Sequence, residues 1–170
     1  MPNIALKNYK GIEVERVKNA PSVKIAEALQ KDAILNKVLE ANHIEVPQEL
    51  VDNEVSMMVL ELNHRMKYEG LATGLDIALT QEEKADRLKN IKEEAFKMVK
   101  TRLVLKGIIE VENFELSKEE LEEEANAIAV RQQIPIEMVR GFLGEDLEQL
   151  KDDLLVRKAI DFVNANAIIK

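Results

Sequence analysis

Cysteine and tryptophan are both absent from the 170 residues. Without cysteine there is no disulfide framework, no thiolate nucleophile and no Cys-based metal site, which fits a reducing compartment. Positive charge is in deficit: 24 Lys and Arg stand against 32 Asp and Glu, for a net charge of -8. A surface that binds phosphate backbones needs clustered cations, and none is seen, so nucleic acid is not expected as a partner. No apolar run approaches the roughly 20 residues that span a bilayer. The opening Met1-Pro2-Asn3-Ile4-Ala5-Leu6-Lys7 lacks the apolar core of a signal peptide. No membrane partner and a cytoplasmic location are therefore expected.

Aromatics are only 4 % of the chain, and there are just 6 Gly and 4 Pro. The apolar content comes instead from Leu, Ile, Val, Ala and Met, mixed with 33 % charged residues. Ala, Leu, Glu and Lys lose little rotamer freedom in a helix, so the composition predicts an all-α fold. The length suits one domain that buries roughly 70 % of its unfolded surface when compact.

Apolar and charged residues alternate from Asn3 to Val17, with a turn near Asn8-Tyr9-Lys10-Gly11, and this period of two predicts an extended segment. Residues 1–20 read as a linker and 21–170 as the helical domain. Ser22 is a candidate N-cap for a first helix to about Ala41. Pro47 opens a second, which Gly70 ends. Leu71 to Thr80 reads as a loop, with one helical turn around Leu75–Ala78. Thr80 with Glu83, and Ser117 with Glu120, have the capping-box spacing. They start a third helix to about Val111 and a fourth to about Gln133. Pro135 starts a short fifth helix that stops at Gly141 or Gly144, and the last covers roughly Glu145 to Asn164.

An internal repeat is the strongest signal. AILNKVLEANHIEVPQELVDNEV (Ala33–Val55) returns seventy positions on as LVLKGIIEVENFELSKEELEEEA (Leu103–Ala125). Ile44/Phe114, Glu45/Glu115, Val46/Leu116, Val51/Leu121 and Glu54/Glu124 fall in register. Each copy is a helix end, a short extended link and a new helix, which points to two similar projections from one body. At about 3.6 residues per turn, Val51, Val55, Met58, Leu62 and Met66 form a narrow stripe, as do Leu88, Ala95 and Val99. A narrow stripe suits a two-helix hairpin. In contrast, Leu103, Val104, Leu105, Ile108 and Ile109 surround their helix, as do Leu154, Leu155, Val156, Ile160, Phe162 and Val163. Apolar all round predicts buried all round. The expected architecture is an elongated helical body with two protruding helical arms, about 47–102 and 117–150, and a short extended N-terminal segment.

EANHIEVPQELVDNEVSMMVLELNHRMKYEGL, KTRLVLKGIIEVENFELSKEELEEEANAIA and EDLEQLKDDLLVRKAIDFVNANAIIK resemble, in order, the C-terminal chaperone domain of bacterial trigger factor. NYKGIEVERV resembles the segment leading from that family's ribosome-binding domain to its linker. Neither the ribosome-docking loop nor the prolyl-isomerase domain has a counterpart, so the sequence reads as a domain deletion or a naturally short homologue. The resemblance implies a non-enzymatic, ATP-independent holdase that binds unfolded or nascent polypeptide in a cradle between arms. It implies no cofactor, and contact with the ribosome only through a domain outside this chain. Periplasmic chaperones share the peptide-binding fold but require a signal sequence. The alternative is a structural helical module for dimerisation or for docking to one fixed partner.

No catalytic constellation accompanies the fold. His43 and His64 are the only histidines, and neither has metal-ligand spacing. The acidic stretch Glu115–Glu124 reads as an exposed helix N-terminus favoured by the helix dipole. The expected polypeptide-binding residues are apolar ones off the packing stripes. Met57 and Tyr68 lie roughly 100–120° from the α-helical stripe and Leu60 is almost opposite it. Ile136, Met138, Val139 and Phe142, with Ile134 and Leu143 nearby, crowd a helix too short to bury all of them. Methionine suits varied partners because its unbranched side chain repacks easily.

Overall fold

The computed structural model describes residues 6, 8–68, 80–144 and 146–170. The Gly70 stop and the turn expected at Leu75–Ala78 lie outside the described residues. Those residues form six helices and one two-stranded sheet: β1 (Glu13–Val14), α1 (Val23–Ala41), α2 (Gln48–Tyr68), α3 (Gln81–Glu112), α4 (Lys118–Gln132), α5 (Ile136–Leu143), α6 (Glu148–Ala165) and β2 (Ile168–Ile169). The chain divides into two compact units, residues 1–42 with 105–170, and residues 43–104.

The helix starts follow the local chemistry. The Ser22 side chain accepts the Ile25 amide and begins α1. Thr80 and Glu83 exchange bonds at the start of α3, the Thr80 amide donating to Glu83 at 2.8 Å and the Glu83 amide to the Thr80 hydroxyl at 3.2 Å. Ser117 and Glu120 form the same capping box at α4. Helix α1 ends where Asn42, buried, donates from both its backbone and its side chain to the Val38 carbonyl, at 3.1 and 2.8 Å. Gln133 closes α4 in the left-handed region, φ 56°.

α6 begins at Glu148, later than Glu145, because Leu147 takes a left-handed conformation with φ 54° and is itself buried. For a leucine this backbone costs about 1–3 kcal/mol. The burial of its side chain beside Leu121, Ala125, Val139, Leu150 and Leu154 offsets that cost.

In the unit built from both chain ends, α1 packs on α6, and α4, α5 and α6 pack on one another. Ile34, Val38, Leu105, Ile108, Ala159 and Val163 are buried there. The unit of residues 43–104 has a smaller core: Val51, Ala95 and Val99 are buried, with Val46, Val55, Met58 and Leu103 packed against them. Helix α3 supplies residues to both units. Leu88, expected on the seam, is 42 % exposed, and Ile91 takes the buried place instead.

The repeat is visible as burial. Ile34 and Val104, Val38 and Ile108, and Val51 and Leu121 are all buried. Glu54 and Glu124, also in register, are both mostly covered and each takes an arginine from a later helix of its own unit. Arg102 lies 3.2 Å from Glu54, and Arg157 lies 3.0 Å from Glu124.

The extended N-terminal segment has a partner that the alternation did not reveal. β1 pairs in parallel with β2, Glu13 opposite Ile168 and Val14 opposite Ile169. Amides of Ile168 and Lys170 donate to the carbonyls of Ile12 and Val14, and those of Gly11 and Arg16 donate to Asn166 and Lys170. Further along, the Gln30 side chain bridges the Val17 amide and the Glu15 carbonyl.

A polar anchor fixes the start of this strap. The Tyr9 hydroxyl donates to Glu112 at 2.6 Å, and Lys10 reaches the same carboxylate at 2.6 Å. Lys10 also lies 5.2 Å from the Phe162 ring centre, and Phe162 meets Phe114 edge-on. Burial first, then the hydrogen bond to Glu112 and that carboxylate's charge, push the Tyr9 hydroxyl from 10.0 up to about 12. Hydrogen bonds from Lys10, then Tyr9, hold Glu112 below the usual carboxylate range.

The signs oppose each other. Tyr9 stabilises the fold fully below its unfolded value and ceases to as pH rises through about 12. Glu112 stabilises above the ordinary carboxylate range, and its contribution is lost as pH falls through its lowered value. Phenolate absorbance should therefore show a step near pH 12 that Tyr9→Phe removes. An unchanged alkaline titration in that variant would contradict the anchor.

Candidate functional site

Helix α2 separates its two faces by spacing. Val51 and Met66 are buried, and Val55, Met58 and Leu62 are half-buried. Between them, Met57 is 64 %, Leu60 55 % and Tyr68 94 % exposed. Met57 and Leu60, three residues apart, are neighbours on the helix surface. With Met58 and Met98 they line an open groove of about 640 Å³, rimmed by Glu54, Glu61, Glu94 and His64. Met58 also packs against the Val51–Ala95–Val99 core, which makes it the link between groove and seam.

Helix α5 makes the same separation in eight residues. Positions 136, 139 and 143 recur on one face, and 138 and 142 on another. Val139 is buried, and Ile136, Ile134 and Leu143 are half-buried against the α4–α6 core. Met138 and Phe142 remain 48 % and 70 % exposed. This corrects one of the expected contact residues, Val139. Val139 belongs to the core and Ile136 is packed against it, because they occupy the face that covers Leu121, Ala125 and Leu150.

Several exposed apolar residues escaped the stripe reading. Met98 and Phe96 on α3 are 41 % and 46 % exposed, and Val130 on α4 is 79 % exposed. Met98 stands beside the buried Val99, so displacement from the α3 stripe was the available signal.

The acidic stretch has more structure than a solvated helix start. Glu120 contacts Lys158 at 2.6 Å, Glu122 contacts Arg140 and Glu124 contacts Arg157. Hydrogen bonds from Lys158, then from the Ser117 amide, hold Glu120 below the usual carboxylate range. The cations come from α5 and α6, so these carboxylates join helices rather than wait for a ligand. Among the described residues no group of three His, Cys, Asp or Glu side chains could hold a metal ion, and no helix is long and apolar enough to cross a membrane. What remains chemically is apolar surface with an acidic rim.

Against known proteins, residues 6–165 match the family model described as "Bacterial trigger factor protein (TF) C-terminus". The chain belongs to the trigger factor C-terminal family. It is 34 % identical over 142 residues to trigger factor of Anoxybacillus flavithermus, covering 84 % of this chain and 33 % of that protein. To trigger factor of Bacillus subtilis it is 34 % identical over 141 residues, covering 83 % and 33 %. The chain thus spans about a third of the length of these relatives. A solved structure of domains of trigger factor from "Themotoga maritim" matches with TM-score 0.60 at 20 % identity, covering 95 % of this chain and 93 % of that one. The all-α fold is therefore the trigger factor C-terminal fold, and the family is one of chaperones. The matched part is the C-terminal one.

The exposed and buried sets should part on mutation. Met57, Leu60 and Tyr68 changed together to Ser should leave helicity and melting nearly unaltered. Val139→Ala should destabilise its unit by about 1.5–3 kcal/mol, the scale of losing a buried aliphatic side chain. Denaturant unfolding of the two variants checks this, and equal losses would contradict the division.

Proposed function

We propose that this trigger factor C-terminal chain is an ATP-independent holdase for unfolded or nascent polypeptide. The observation that carries the reading is the exposure of Met57, Leu60, Tyr68, Met138 and Phe142 beside fully packed neighbours on the same helices. Large apolar groups kept in water at such density mark binding surface. They belong to separate helices, α2 and α5, so no single pocket defines one ligand. Patches of this kind hold a long chain by acting together. One exposed Met or Leu contributes about 1.5–3 kcal/mol when buried, and a client already bound at one patch meets the next at high effective concentration.

The groove chemistry supports broad rather than exact recognition. Three of its apolar walls are methionines, whose three rotatable bonds let them follow different client shapes. Prolyl-isomerase activity is not proposed for this chain. In this reading the protein works in the cytoplasm, and any contact with ribosomes is made by other parts of the family's longer proteins.

A holdase should suppress aggregation of several unrelated unfolded proteins at near-stoichiometric amounts. A structural module for dimerisation, or an adaptor for one partner, should suppress none. The Met57, Leu60 and Tyr68 to Ser variant should hold long clients severalfold more weakly than the parent. Light scattering of refolding clients reads both, and undiminished suppression by that variant would refute these contacts. Turnover of a proline-containing peptide above background, persisting through further purification, would refute the non-enzymatic reading.

A further inference from the structure

We propose that the α2–α3 groove is a methionine-oxidation site, at which a hydroperoxide reversibly weakens the hold on clients. The effect on clients rests on the holdase reading; the modification itself does not.

The sequence contains six methionines and no cysteine, so thioethers are its only sulfur. Three of them, Met57, Met58 and Met98, line one groove. Met57 and Met98 are 64 % and 41 % exposed, whereas Met66 on the same helix as Met57 is 9 % exposed. An oxidant in solution therefore reaches the groove sulfurs before the packed one.

The rim bears on the oxidant too. Glu61 and Glu94 border the methionines, with Glu54 paired to Arg102, and their negative charge disfavours anions while leaving a neutral molecule unaffected. Hydrogen peroxide is such a molecule. The Met sulfur attacks one peroxide oxygen, the O–O bond breaks and an S–O bond forms. The second oxygen departs as water with both hydrogens. The sulfur is oxidised by two electrons and the peroxide is reduced by two.

The product is a polar sulfoxide where the groove was apolar. It removes the surface on which a client's apolar side chain would rest. The fold survives oxidation of the exposed Met57 and Met98, because the buried seam is Val51, Ala95 and Val99, with only the half-buried Met58 packed against it. Sulfoxide reductases reverse the reaction, so the groove is a switch rather than a lesion.

The test is peroxide treatment of the full chain, followed by peptide mass mapping, circular dichroism and the aggregation assay. Met57 and Met98 should gain one oxygen severalfold faster than Met66, with helicity retained and suppression reduced severalfold. Treatment with methionine sulfoxide reductase should restore it. In a Met138→Leu background, which removes the other exposed client-contact methionine, a further variant has Met57, Met58 and Met98 changed to Leu and keeps Met66. Whatever its starting level, its suppression should not respond to peroxide. Equal oxidation rates at Met66 and Met57, or equal loss of suppression in that variant, would overturn the proposal. If untreated protein suppresses no client at all, the holdase reading and the switch fall together, and the mass map alone decides the oxidation site.

Discussion

The sequence of α3 has to satisfy two different surroundings with one continuous helix. Over Ile91, Ala95 and Val99 it is buried along a single line, one residue in four, and the side chains between remain in water. From Val104 to Ile108 the pattern broadens, with Val104, Leu105 and Ile108 buried. A helix covered from one side needs only the stripe, and any further apolar residue on it must be exposed. Exposed Met and Phe side chains are consequently found where coverage is one-sided, at Phe96 and Met98, and their presence follows from the same constraint that makes the fold.

The repeat shows how one sequence pattern serves twice. In both copies the first turns after the link bury an aliphatic residue, Val51 or Leu121, and three residues later a glutamate receives an arginine. Each ion pair has one well-covered partner and one exposed partner, so its net contribution is modest, about 0–1 kcal/mol. Its value is geometric. A carboxylate three residues beyond the buried aliphatic lies within reach of an arginine on a later helix of the same unit. The copies diverge after this point. The first continues into the longer α2, while the second ends at Gln133 and adds the short, strongly two-faced α5.

Much of this was legible from residues alone because it depends on near neighbours. Capping boxes at Thr80 and Ser117, Ser22 at an N-cap and Pro135 before α5 are local chemistry, and the helices start there. Contacts between distant positions were not legible. The alternation through Val14 required a strand partner, but Ile168 and Ile169 lie beyond the last helix, where two residues carry no periodicity. Likewise, nothing local marks Leu147 as left-handed; it is held so by the core it enters. The run of glutamates after Glu115 looked like solvated charge because its partners, Arg140, Arg157 and Lys158, are supplied by other helices. For exposure, spacing was sufficient at Met57 and Leu60 and underused in α5. The offsets 136, 139 and 143 against 138 and 142 already divide core from surface, and applying them would have set Val139 aside.

Met57, Met98, Met138, Tyr68 and Phe142 stand exposed, as do some β-branched residues such as Val130. A β-branched side chain on a helix is stiff at its first torsion and presents one shape. Val51, Val99 and Val139 use that stiffness inside the cores, where one neighbour arrangement has to be favoured. On the surface, Met57 and Met98 are unbranched and repack easily, and Phe142 and Tyr68 expose large area with few torsions.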